Sequence, residues 1–329
     1  MIRERALQFG PGRRLLGILS LPETIDPARP AIIMPNTGFE HRVGPHRLHV
    51  HLCRAFAQAG FAALRLDLSG MGDSDSGQLN DPIADQGAAM DELARLGIAT
   101  RCIPIGLCSG GHDAHRFAKA DPRAVAAGFL DHYLYSTRRS RRISLWQKLS
   151  ELRRVLNFLQ RRCGAFGRAG ISSESAGDNW FERPDRRAFQ SDVDGFIQRG
   201  MPLFFLFTGE YQNVYNYPEQ LLDICPRLGD YELYHLHYFA ESDHTFSQSQ
   251  MRRKLIDALL LWLNAQVLTQ LPHGPRAAIT PLQPAQSLRA RTAAAVTTTA
   301  SVNQTRPQTW AALDAAALTG MTRKLGADA

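Results

Sequence analysis

The run Arg101–Ala120, RCIPIGLCSGGHDAHRFAKA, constrains the fold of this chain more than any other stretch. Cys102–Leu107 is short and apolar and reads as a buried strand. Gly106-Leu107-Cys108-Ser109-Gly110 then makes a glycine-flanked turn, and the residues after it read as a helix. A strand that enters a helix through Gly-x-Nu-x-Gly holds its central residue in a strained backbone conformation. The glycines are needed because neighbouring elements approach closely on both sides. The central side chain is left at a helix N-terminus, where the dipole favours an anion. Such a turn requires a sheet layer with helices packed on it.

The rest of the pattern agrees. Residues 4–9 and 13–20 suit a strand pair joined at Gly10-Pro11-Gly12, and PAIIMP suits a short strand ending in a turn. Leu48, Leu52, Phe56 and Ala59 recur at helical spacing, FAALRLDLSG is a further strand, and a helix is expected around 85–96. AVAAGFL, MPLFFLFTGE and YELYHLHYF add strands, and a last helix is expected over 249–268. Near-continuous apolar strands alternating with helices predict an α/β fold around a mostly parallel sheet. The alternation lapses for about seventy residues between Asp131 and Met201, too long for an ordinary connection. The predicted organisation is a core over 1–131, a basic helical lid over 132–200, a second part of the core over 201–270, and a disordered tail over 271–329. Within the insertion Leu145, Leu149, Leu152, Leu156 and Leu159 form a one-sided stripe, expected to pack against the main domain.

Composition narrows the function. Hydrophobic content of 44% and charged content of 21% are those of a soluble globular chain. No stretch approaches a membrane span and the N-terminus lacks a secretory core, so a cytoplasmic location is expected. The five cysteines are widely spaced without C-x-x-C, which points away from disulfides and zinc. Of the net charge of +7, Arg138–Arg168 carries nine Arg and one Lys against Glu151, or +9, leaving −2 for the remainder. Aromatic residues are not interleaved as a stacking platform requires, so no nucleic-acid partner is expected. The basic segment could steer an anionic small-molecule acyl substrate. There is no phosphate loop, and the Gly70–Gly72 loop lacks the third glycine of a dinucleotide fingerprint, so no cofactor or metal is expected.

Cys108 and Ser109 both invite attention as nucleophiles. Centring the turn on Cys108 puts small residues at both required places, whereas centring it on Ser109 puts Leu107 there. Cys108 is therefore the expected nucleophile, with the Ser109 N–H as an oxyanion donor. Its base is expected at His244, in the loop ESDHTF after the final strand. His41, His46, His49 and His51 are expected on the surface, and His235 and His237 in strand packing. The acid should end a strand. Glu210, after LFFLFTG, is slightly favoured over Asp131, after GFL; Asp243 lies too close to His244 and is expected to shape its loop. The second oxyanion donor is expected in Asn36-Thr37-Gly38-Phe39, at the Phe39 N–H.

In this order, these residues resemble the α/β-hydrolase family over residues 1–268. GFEHRVGPHR, LRLDLSGMGDSD and GLCSGG are similar to the hydrolases associated with exosortase and exopolysaccharide loci, often grouped with serine-aminopeptidase-like hydrolases. The resemblance implies a Cys-His-acid triad, a lid between the sixth and seventh strands, and hydrolysis or transfer of an acyl group. It also favours Cys108 over Ser109. The chain departs from the family after its seventh strand, where YQNVYNY stands in place of the usual Asp. The function expected is an ester or thioester hydrolase working through an acyl-enzyme. An acyltransferase to a glycan precursor and a non-catalytic binding protein of the same fold are the alternatives.

Overall fold

The structure is a computed structural model. It describes residues 2–76, 81–161 and 183–270, with backbone alone for 151–161 and 270. The expected tail from 271 onward, and the side chains of Leu152, Leu156 and Leu159, lie outside the described residues.

Among the described residues eight strands form one sheet. They are β1 (Arg3–Phe9), β2 (Leu15–Leu21), β3 (Ala31–Pro35), β4 (Ala63–Asp67), β5 (Cys102–Leu107), β6 (Ala127–Leu130), β7 (Leu203–Thr208) and β8 (Tyr234–Phe239). Their spatial order is β1-β2-β4-β3-β5-β6-β7-β8. β2 runs antiparallel to β1 and β4, and every pairing from β4 through β3 to β8 is parallel. The β1–β2 hairpin turns at Gly10 (φ 73°) and Gly12 (φ 65°), a backbone region that glycine enters without steric cost.

The intervening helices are α1 (Leu48–Gln58), α2 (Pro82–Arg95), α3 (Ser109–Ala120), α4 (Arg138–Arg161), α5 (Arg186–Gln198), the short α6 (Gln220–Ile224) and α7 (Ser249–Trp262). Alternate strand residues feed opposite layers, as the twofold period of a strand requires. Ile33, Phe205 and Phe207 pack in one core with Phe117 of α3 and Phe189, Val193 and Phe196 of α5. Ile32, Phe204 and Leu206 pack in the other with Leu52 and Phe56 of α1 and Leu255, Leu259 and Trp262 of α7. Both faces are covered, which is why these strands read as continuous apolar runs.

Among the described residues the segment 132–200 holds two different kinds of helix. α5 buries an apolar face in the main core. α4 behaves otherwise: Leu145 and Leu149 are exposed, not packed on the main domain as the stripe suggested. One-sided periodicity identifies an apolar face but says nothing of what covers it. His49 also departs from expectation. It is fully buried with Nε2 3.3 Å from Thr37 Oγ1, because α1 turns that face onto β3 and its following loop.

Candidate active site

The C-terminal ends of β3, β5, β6 and β7, with the loop after β8, converge on Cys108. β5 stops at Leu107, and Cys108 adopts φ 56°, ψ −121° as the residue preceding α3. A non-glycine residue at positive φ is strained unless its surroundings hold it there. Here the glycines do so. A Cβ on Gly106 would come within 2.0 Å of the Gly110 carbonyl oxygen, and one on Gly110 within 2.7 Å of the Asn36 carbonyl oxygen. Only bare backbone lets the strand, the helix and the loop after β3 meet. Ser109 is the first residue of α3 and is buried.

Cys108 differs from the other described cysteines. Cys53, Cys102 and Cys225 are buried, and burial pushes the Cys53 and Cys225 thiols up to about 12. Cys108 is partly exposed and sits at the N-terminus of α3.

His244, part-buried in the loop between β8 and α7, donates from Nδ1 to Asp131 Oδ2 at 2.9 Å. Burial of the ring opposes its charge. Hydrogen bonds to Asp131 and Cys108, with electrostatic attraction to both, outweigh that opposition and push its pKa up to about 10. Asp131 directly follows β6 and is buried at φ 46°. Thr208, the last residue of β7, fixes it. The Thr208 N–H donates to Asp131 Oδ1 at 2.7 Å, and the Thr208 hydroxyl donates to Oδ2 at 2.6 Å. Glu210 is exposed in the turn after β7. The geometry therefore brings Asp131, and not the favoured Glu210, to His244. The end of β7 contributes a hydroxyl and an amide that hold Asp131 in place. Asp243 shapes the loop, accepting from the Ser247 N–H at 2.9 Å.

The loop after β3 is pinned at three points. The Gly38 N–H donates to Ser109 Oγ at 2.5 Å. Asn36 Oδ1 accepts from the Leu68 N–H at 3.1 Å, and Asn36 Nδ2 donates to the Gly38 carbonyl at 3.1 Å. Arg42 binds buried Asp67 through both its backbone N–H and its guanidinium. Phe39 stands in this loop with its side chain largely exposed. Sequence reasoning gave no part to the Asn36 side chain, Arg42, Asp67, Thr208 or Tyr211, whose ring meets His244 edge-on with centroids 5.0 Å apart. The segments GFEHRVGPHR and LRLDLSGMGDSD contain the Arg42–Asp67 pair, but nothing local to either segment announces it.

His41, Asp67 and Asp73 bring ligand-type atoms within 4.8 Å of one another. The Arg42 guanidinium already bridges both carboxylates, so a fixed cation occupies the place a metal ion would take. That cluster reads as a loop clamp.

No family model and no curated protein matches the chain. Solved structures do match. An esterase from Pyrococcus furiosus superposes with a TM-score of 0.51 at 12% identity, covering 80% of this chain and 92% of that one. The protein Est1E from Butyrivibrio proteoclasticus superposes with a TM-score of 0.50 at 15% identity, covering 80% and 99%. These likenesses agree with an eight-stranded, mostly parallel sheet flanked by helices. The chain has the α/β-hydrolase fold. Among the described residues no helix is long and apolar enough to cross a membrane.

Proposed function

We propose that the chain hydrolyses a carboxylic ester or thioester through Cys108, His244 and Asp131. The observation that carries this reading is the chain of contacts from Asp131 through the His244 ring to a cysteine held at positive φ on a helix N-terminus. In the proposed reaction His244 holds the thiol proton as an imidazolium and Cys108 attacks the acyl carbonyl as thiolate. The oxyanion of the tetrahedral intermediate accepts hydrogen bonds from the Ser109 and Phe39 N–H groups. Collapse breaks the bond to the leaving group, which takes the proton from His244 and leaves a thioester on Cys108. Water, deprotonated by His244, then attacks that thioester and releases the acid and the thiol. Asp131 keeps Nδ1 protonated, so that Nε2 faces the sulfur.

A thiolate handles activated acyl groups better than amides, so thioesters, lactones and reactive esters are the proposed class. The resemblance to exosortase- and exopolysaccharide-associated hydrolases supports a small acyl substrate in glycan metabolism, and a cytoplasmic setting belongs to the same reading. The test is the p-nitrophenol burst from p-nitrophenyl acetate and butyrate, with mass spectrometry of the trapped acyl-enzyme. An adduct on Cys108 that Cys108→Ala and His244→Ala abolish supports the reading. An adduct on Ser109, or no burst with short thioesters as well, overturns it.

A further inference from the structure

α4 is fastened to the body along one side. Ser140 is buried, its N–H donating to Thr137 Oγ1 at 3.0 Å and its carbonyl accepting from Asn216 Nδ2 at 3.0 Å. One turn on, Ser144 Oγ accepts from the same amide at 3.0 Å and donates to the Asn213 carbonyl at 3.3 Å. A helix turns by about 100° per residue, so Leu149 lies roughly 180° around from Ser140 and Leu145 roughly 140° from it. Both leucines thus face away from the protein. Leu145 is 58% exposed, Leu149 46% and the adjoining Trp146 71%.

Charge accompanies this face. From Arg138 to Ser150 there are four arginines and one lysine with no acidic residue. By the same helical rotation Arg141 and Lys148 flank the leucine stripe on one side and Arg142 on the other. In sequence the leucine spacing continues to Leu152, Leu156 and Leu159, and the only acid of α4 is Glu151. An outward apolar stripe bordered by cations, with a tryptophan beside it, is the pattern of a helix lying in the plane of a membrane surface. There the leucines enter the acyl boundary, tryptophan sits at headgroup depth, and long basic side chains reach the phosphates.

We propose that the outward face of α4 docks on an anionic lipid bilayer. Nucleic acid would satisfy the cations but leave the leucines and Trp146 in water. A second copy of the chain would cover the stripe but bring Arg138, Arg141, Arg142 and Lys148 against the same four cations, Arg139 being stacked on Tyr217. A bilayer carrying acidic headgroups satisfies both features at once. Cys108 plays no part in this docking.

The experiment is flotation of the full chain with vesicles of phosphatidylcholine alone and of phosphatidylcholine mixed with phosphatidylglycerol, at low and high salt. The expected result is binding to the anionic vesicles about tenfold or more tighter than to the neutral ones, weakened by salt. Leu145→Ser with Leu149→Ser, and separately Arg141→Gln with Arg142→Gln, should each weaken it by about tenfold or more. All four positions are exposed, and unchanged thermal melts verify that the variants fold. No flotation, or equal binding to both vesicle types, overturns the proposal. So does a dimer seen by light scattering that the leucine double variant abolishes, which would assign the stripe to a second copy.

Discussion

Asp131 and Glu210 stand at the ends of neighbouring strands, and only one of them reaches His244. The difference lies in what each carboxylate meets. Asp131 is enclosed and receives an amide, a hydroxyl and the imidazole, whereas Glu210 is exposed to solvent. Removing the charge of the orienting acid should therefore be severe at one position and mild at the other. Asp131→Asn is expected to lower kcat/KM by about 10²–10⁴-fold, and Glu210→Gln to leave it within about twofold, by steady-state assay with p-nitrophenyl butyrate. Equal effects would remove Asp131 from the role. Ser109 has a different task, because its hydroxyl holds the loop that carries Gly38 and Phe39. One hydrogen bond contributes about 1 kcal/mol, so Ser109→Ala should reduce kcat roughly five- to tenfold while the acyl adduct on Cys108 persists. Loss of the adduct itself would instead mark Ser109 as the group attacked.

At the scale of elements, the turn between β5 and α3 is governed by sterics. Gly106→Ala would drive its new Cβ to 2.0 Å from a backbone carbonyl oxygen, an atom that no rotamer change can move. Urea denaturation should show a loss of about 3 kcal/mol or more, at the upper end of overpacking effects, or no folded protein. A variant as stable as the parent would mean that β5 and α3 are not so closely apposed. The glycines were legible in the sequence because this requirement is local: strand, turn and helix are consecutive. The partner of His244 was not legible, because it depends on β7 lying beside β6. That adjacency brings Thr208 onto Asp131. α4 makes the same point from outside the site, since its leucine spacing predicts a helix with an apolar face but the direction of that face follows from where Ser140 and Ser144 are tied.

Across the whole molecule, the contacts of His244 with Asp131 and Cys108 couple folding to pH. Folding raises the His244 pKa from 6.5 to about 10. The folded state thus holds this proton more tightly than the unfolded chain does. That contribution is full below about pH 6.5 and is lost as pH climbs through about 10. The unfolding free energy of the parent minus that of His244→Gln should fall across this window in chemical denaturation. A difference that is flat or rises with pH would contradict a protonated His244 between Asp131 and Cys108.

Hydrophobic period, glycine spacing and steric room within a few consecutive residues were enough to read the α/β class and to centre the turn on Cys108. Three other features required the folded chain: which carboxylate orients His244, how Asn36 and the Arg42–Asp67 pair secure the loop after β3, and which way the α4 leucines face. Those depend on the order in which parallel strands lie side by side and on hydrogen bonds between residues up to 113 positions apart. Such adjacency leaves no local mark on the chain.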